Sequence, residues 1–125
     1  MLISINSYSR VIQQYGQEVA DFMFSDVATI VQTELREPDT LALWEREVFI
    51  LLLPYTDKEK SQLVAERICN KISAHDFFVG TKIEKAVASV GLTEVSEASL
   101  KSTIQKLELQ HYQATKQPNS SIISE

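Results

Sequence analysis

The sequence predicts an α+β protein with a mixed central sheet of about five strands flanked by helices. Two observations carry that prediction. Apolar residues switch between helical spacing and short strand-like runs in the order strand-helix-helix-strand-strand-helix-strand-helix-strand. The stretch from Arg36 to Pro54, R-E-P-D-T-L-A-L-W-E-R-E-V-F-I-L-L-L-P, reads as two strands joined by a tight charged turn.

Met1 to Ile5 is a short apolar run and predicts the first strand. Tyr8, Val11, Ile12 and Tyr15 recur at helical spacing, and Gly16 supplies a helix stop. A second helix is expected from Gln17 to about Leu35. Val19, Phe22, Met23, Val27, Ile30 and Val31 form its buried stripe, and Asp26, Gln32 and Glu34 face water. Thr40 to Trp44 alternates and is apolar on one face, and Trp44 on this strand is expected in the core rather than as a base-stacking platform. Val48 to Leu53 is continuously apolar and stops at Pro54, so it is expected mid-sheet and buried on both faces. Thr56 with Glu59 three residues on reads as a capping box for a helix to about Ile72, with Leu63, Val64, Ile68 and Ile72 inward. His75 to Gly80 is loop or a short edge strand, and Ile83 to Leu92 is one strand. A last helix, about Glu97 to Thr115, carries Leu100, Ile104, Leu107 and His111 on one stripe. Pro118 marks a turn, and Ser121 to Ser124 can add an edge strand.

A chain of 125 residues holds one core, which predicts one domain over 1–117 and a polar tail over 118–125. The net charge of -5, with no run of Lys or Arg, argues against a nucleic-acid partner. The single Cys69 excludes an internal disulfide and reads as a small core residue. His75 and His111 have no ligand partners at metal spacing. No apolar run reaches membrane length and no signal-peptide pattern is present, so no membrane insertion is expected and the expected setting is cytoplasmic.

The central stretch resembles the signature hairpin of GGDEF domains, the bacterial diguanylate cyclases. Asp39, Trp44, Phe49 and Leu53-Pro54 fall in the family's register, while the five signature positions read Glu45-Arg46-Glu47-Val48-Phe49. The likeness continues in Ala65-Glu66-Arg67-Ile68, in Ala88-Ser89-Val90-Gly91 and in Tyr112-Gln113-Ala114-Thr115. It implies a nucleotidyl-cyclase or palm-like fold. The family's segment before the first strand has no counterpart here, which predicts either a fragment of a larger protein or uncovered apolar surface that favours self-association or a protein partner.

The resemblance also implies which residues to inspect. Family members hold divalent metal on acids from the first strand and the hairpin, because charge developing in phosphoryl transfer needs a cation. Those positions are Ser4, Asn6, Glu47 and Val48, a single carboxylate. The paired glycines of the turn are Glu45 and Arg46, which fill the space a nucleotide would approach. The family's phosphate-binding lysines correspond to Ser9 and Thr115. Its guanine contacts correspond to Ile12 and Asp21, of which only Asp21 keeps its chemistry. Asp21, Glu45, Arg46 and Glu47 thus mark a vestigial active site, with no catalytic residue, metal or cofactor expected. Arg36-Glu37-Pro38-Asp39 matches the family's R-x-x-D, the inhibitory site for cyclic di-GMP. Arg can contact phosphate or a guanine edge, and Asp can accept from guanine N–H groups. The same four residues also read as an ordinary helix-to-strand turn. The expectation is a non-catalytic signalling module that binds cyclic di-GMP through Arg36 and Asp39, or a dimerisation or partner-binding scaffold with no nucleotide. An active cyclase is the remaining reading.

Overall fold

The computed structural model describes residues 1–95 and 99–124. Its elements run β1 (Leu2–Ile5), α1 (Tyr8–Tyr15), α2 (Gln17–Gln32), β2 (Thr40–Glu45), β3 (Val48–Leu52), α3 (Lys58–Ala74), β4 (Phe77–Val79), β5 (Lys82–Glu84), β6 (Ala88–Leu92), α4 (Leu100–Thr115) and β7 (Ser121–Ser124). Five strands form one sheet in the order β2-β3-β1-β6-β7, and β4 with β5 forms a separate hairpin. β6 and β7 are parallel and every other pair is antiparallel, so the sheet is mixed. The predicted fold class is the observed one.

Side-chain alternation sorts the sheet into two faces. Ile3, Ile5, Phe49, Leu51, Ala88, Val90 and Leu92 turn toward α1, α2 and α3 and join Val11, Met23, Val27, Val31, Ile68 and Ile72 in the main core. Leu2, Val48 and Ile50 turn the other way and meet Leu107 of α4. Phe24 of α2 stacks on Phe49 at 4.3 Å between ring centroids, locking the helix layer to the central strands. α4 comes close enough to β6 that a Cβ on Gly91 would lie 2.5 Å from the His111 backbone nitrogen. Glycine is required there for proximity alone.

Several expectations need correction. β3 is interior to the sheet, but its second face is buried only at Val48. Leu52 is 53% exposed and Ile50 half-buried, because α4 lies over β6 and β1 and leaves the other face of β3 open. Trp44 is at the surface, 37% exposed, past a register shift between Leu43 and Glu45. In α2, Phe22 points outward, while Phe24 faces the sheet. Glu34 is half-buried, bound by Arg67 at 2.9 Å and by Lys71. Leu63 of α3 is exposed.

The cap of α3 is Asp57, whose carboxylate accepts from the Lys60 N–H at 2.8 Å, rather than Thr56. The run Ile83 to Leu92 is two strands, β5 and β6, because the two halves pair in different sheets. The inward stripe of α4 is Thr103, Leu107, Gln110 and Ala114, displaced from the apolar stripe, and Leu100 is exposed. Ser99 caps that helix through the Ser102 N–H, and the earlier start expected at Glu97 lies outside the described residues. Cys69 is buried as expected, and burial pushes its thiol up to about 11, out of nucleophile range.

Candidate functional site

β2 separates two polar clusters, one before it and one after. Six strand residues span about 20 Å, so the clusters cannot share one small ligand.

The cluster before β2 is built on Arg36 and Asp39. The turn is closed in both directions: the Arg36 N–H donates to Asp39 Oδ2 at 2.8 Å, and the Asp39 N–H donates to the Arg36 carbonyl at 3.0 Å. Arg36 Nη2 then reaches across to the Pro54 carbonyl at 3.1 Å and Thr56 Oγ1 at 2.6 Å. This is why Thr56 does not cap α3. The Asp39 side chain is 4% exposed, and its Oδ1 accepts no hydrogen bond from the described residues, lying 3.6 Å from Arg36 Nη2. Lys60, Leu63, Val64 and Arg67 of α3 complete a groove of about 190 Å³ with Glu34, Arg36, Asp39, Leu53 and Thr56. Sequence reasoning did not assign Lys60 and Arg67. Their helical spacing on α3 was a usable signal, but only the fold turns that face toward Arg36. Leu63, expected in the core, is the apolar wall of the same groove.

The cluster after β2 is the hairpin. Glu45 ends β2, Arg46 and Glu47 make the turn, and Glu45 pairs with Val48. The two acids part company here. Glu47 is half-buried and acts electrostatically on Tyr8 at the start of α1, whose pKa is raised by desolvation first, then by Asp21, and least by Glu47. Glu45 faces α4 with Trp44, across a cavity of about 230 Å³ that Leu2, Val48, Glu108, His111, Tyr112 and Thr115 also line. Arg46 is exposed and is not part of that lining.

Asp21, the retained guanine-contact position, is engaged within the chain. Its Oδ1 accepts from Gln17 Nε2 at 2.8 Å and from Tyr8 Oη at 3.2 Å. Gln17 also donates to Tyr8 Oη at 3.0 Å, which closes a triangle. Ser4, at the first-strand acid position, is buried and bonded to His111 Nε2 at 2.8 Å. Burial lowers the His111 pKa, with a smaller opposing effect from Glu45. A divalent metal does not fit this donor set. The Ser4 hydroxyl is committed to an imidazole and Val48 offers no donor, which leaves Glu47 as the single carboxylate of the family's metal-holding positions. Among the described residues no group of three His, Cys, Asp or Glu converges.

Comparison with known proteins agrees with this architecture. The family model described as "Diguanylate cyclase, GGDEF domain" matches residues 1–121. Diguanylate cyclase A of Treponema denticola is 27% identical over 93 residues, covering 74% of this chain and 25% of that protein. The chain therefore spans about a quarter of that relative's length. Among solved structures, the diguanylate cyclase SiaD from Pseudomonas aeruginosa, in complex with its activator SiaC, superposes with a TM-score of 0.91 at 24% identity over 99% of this chain and 48% of that one. The GGDEF domain of DgcB from Caulobacter crescentus, in complex with c-di-GMP, superposes with a TM-score of 0.90 at 14% identity over 98% and 74%. These structures share the α+β fold and the sheet that carries the hairpin. Among the described residues no helix is long and apolar enough to cross a membrane. With nearly its whole length matched by the family model, the chain belongs to the GGDEF family of diguanylate cyclase domains.

Proposed function

We propose that this chain is a GGDEF domain that does not make cyclic di-GMP and serves as a cytoplasmic regulatory or interaction module in bacterial signalling, with Arg36 and Asp39 as its contacts for the dinucleotide. The observation that carries the reading is the contrast at the two ends of β2. At the hairpin, the metal-holding positions are a committed serine and a lone carboxylate. At the other end, the turn is pre-formed, and Asp39 Oδ1 is buried 3.6 Å from Arg36 Nη2 with no hydrogen-bond donor among the described residues, in a groove that Lys60 and Arg67 also line. A buried acceptor without a donor is costly, and a guanine N–H would satisfy it. Lys60, in the same groove, suits a phosphate, while Arg67 is already paired with Glu34. That DgcB was solved with c-di-GMP supports the ligand class.

The test is calorimetric titration of cyclic di-GMP, with GTP plus magnesium as the comparison. Binding of cyclic di-GMP with no turnover of GTP is expected, and Arg36→Lys should weaken it about tenfold by losing the bidentate fork. Equal affinity in Arg36→Lys and Asp39→Asn would sink the assignment of these contacts. Metal-dependent GTP turnover abolished in Glu47→Gln would revive an active cyclase.

A second reading, a partner-binding scaffold with no nucleotide, has its own support. The β3 face left open by α4 exposes Leu52 beside half-buried Ile50, and SiaD was solved with a protein activator. Saturable micromolar binding of cyclic di-GMP would count against it.

A further inference from the structure

The groove between the hairpin and α4 has a chemistry of its own. Glu108, His111, Tyr112 and Thr115 recur at i, i+3, i+4 and i+7 and line one side of it. Trp44, Glu45 and Val48 line the other, with Leu2 also in the wall. Two carboxylates and two aromatic rings thus border about 230 Å³, with no Lys or Arg among the lining residues. One ring already holds a cation: Lys116 Nζ sits 4.6 Å from the Tyr112 ring centroid.

We propose that this groove binds an organic cation, a guanidinium or alkylammonium group held against Trp44 by the carboxylates of Glu45 and Glu108, with Tyr112, whose ring carries Lys116, as the neighbouring wall. An aromatic face attracts a cation through its quadrupole, most strongly for Trp. Carboxylates add charge-assisted hydrogen bonds, and they repel a triphosphate. An inorganic divalent ion is a poorer occupant, since the two carboxylates stand on separate elements with no third acid beside them. His111 does not oppose a cation at neutral pH: burial favours its uncharged form, and its Nε2 is occupied by Ser4. The inference is independent of the Arg36–Asp39 reading, because none of its residues lines that groove.

Trp44 is the chain's single tryptophan, so its emission reports on this groove alone. The full chain is titrated with agmatine, with a Gly-Arg-Gly amide, and with sodium chloride at matched ionic strength. A saturable change with either guanidinium probe, absent with salt, is expected. The double variant Glu45→Gln with Glu108→Gln should weaken it about tenfold. Tighter binding of the peptide assigns the cation to a protein partner's arginine, and tighter binding of agmatine assigns it to a small molecule. A response equal to that of salt, or undiminished in the double variant, overturns the proposal. If the double variant loses its fold, each single variant at these exposed positions carries the same comparison.

Discussion

The two turns that flank β2 have similar composition and opposite structural fates. Before the strand, Arg36 and Asp39 are tied down while Glu37 is exposed: Arg36 spans to Pro54 and Thr56, and Asp39 closes its own turn. After it, Glu45 and Arg46 are exposed, and Glu45 and Glu47 face different helices. The first turn is a structural joint as well as a candidate contact surface, and its residues cannot be exchanged without a cost in stability. The second rests on the strands beneath it and is free to vary. That is how a signature can be rewritten while the fold survives.

Four substitutions break or sharpen this comparison, read as unfolding free energies in denaturant. Phe49→Ala, directly below the hairpin turn, should cost about 3–5 kcal/mol, because it removes the ring stacked on Phe24 and leaves a cavity. A loss under half that size would mean the frame does not hold the hairpin. Gly91→Ala should cost about 1–3 kcal/mol, since the added Cβ meets the α4 backbone and shifts the helix that walls the hairpin groove. Asp39→Ala should cost about 1–2 kcal/mol, by leaving the Arg36 N–H without its acceptor. Glu45→Gln should change stability by no more than about 0.5 kcal/mol. Equal costs for Asp39→Ala and Glu45→Gln would erase the distinction between the two turns.

The smallest effect is one of pH. The folded-state pKa of His111 lies below its ordinary value of about 6.5 because the ring is partly buried. Above about 6.5 the ring is neutral in both states and its contribution is intact. As pH falls from there toward the lower folded value, the unfolded chain binds more protons and stability drops. His111→Asn should flatten that part of the stability profile; an unchanged slope would assign it to other groups.

Most of the architecture was legible because it depends on period and on strong stops. Pro54 ended β3, Gly16 divided α1 from α2, and the apolar spacing of α2 and α3 gave most of their buried faces, Phe22 and Leu63 excepted. The errors share a cause: a neighbour outside the local window decided the outcome. Thr56 had a capping residue's chemistry, but Arg36, twenty residues earlier, claims its hydroxyl. The α4 stripe was misplaced because β6 meets the helix through small residues: the Ser89 hydroxyl donates to the Ala114 carbonyl at 3.4 Å, and Gly91 lies against the helix backbone at Leu107 and His111. Trp44 read as core because it is a large aromatic on a strand; it lies at the register irregularity between Leu43 and Glu45, at the surface. At the candidate sites, Arg36 and Asp39 were visible as a pair. Their companions Lys60 and Arg67, and the pairing of Ser4 with His111 across 107 positions, exist only once the chain is folded.

The pairing of β1 also has a consequence in time. Its neighbours are β3 and β6, so the strand made first waits for partners some forty-five and eighty-five positions later. At ribosomal rates of roughly 5–20 residues per second, β6 follows β1 by about 4–17 s. Until β3 is made, about 2–9 s after β1, Leu2-Ile3-Ser4-Ile5 has no partner strand, and until β6 follows one edge of β1 stays open to chaperones or to other nascent chains. Closure of the sheet is therefore a late event, and it depends on contacts distant in sequence, the kind that fold slowly.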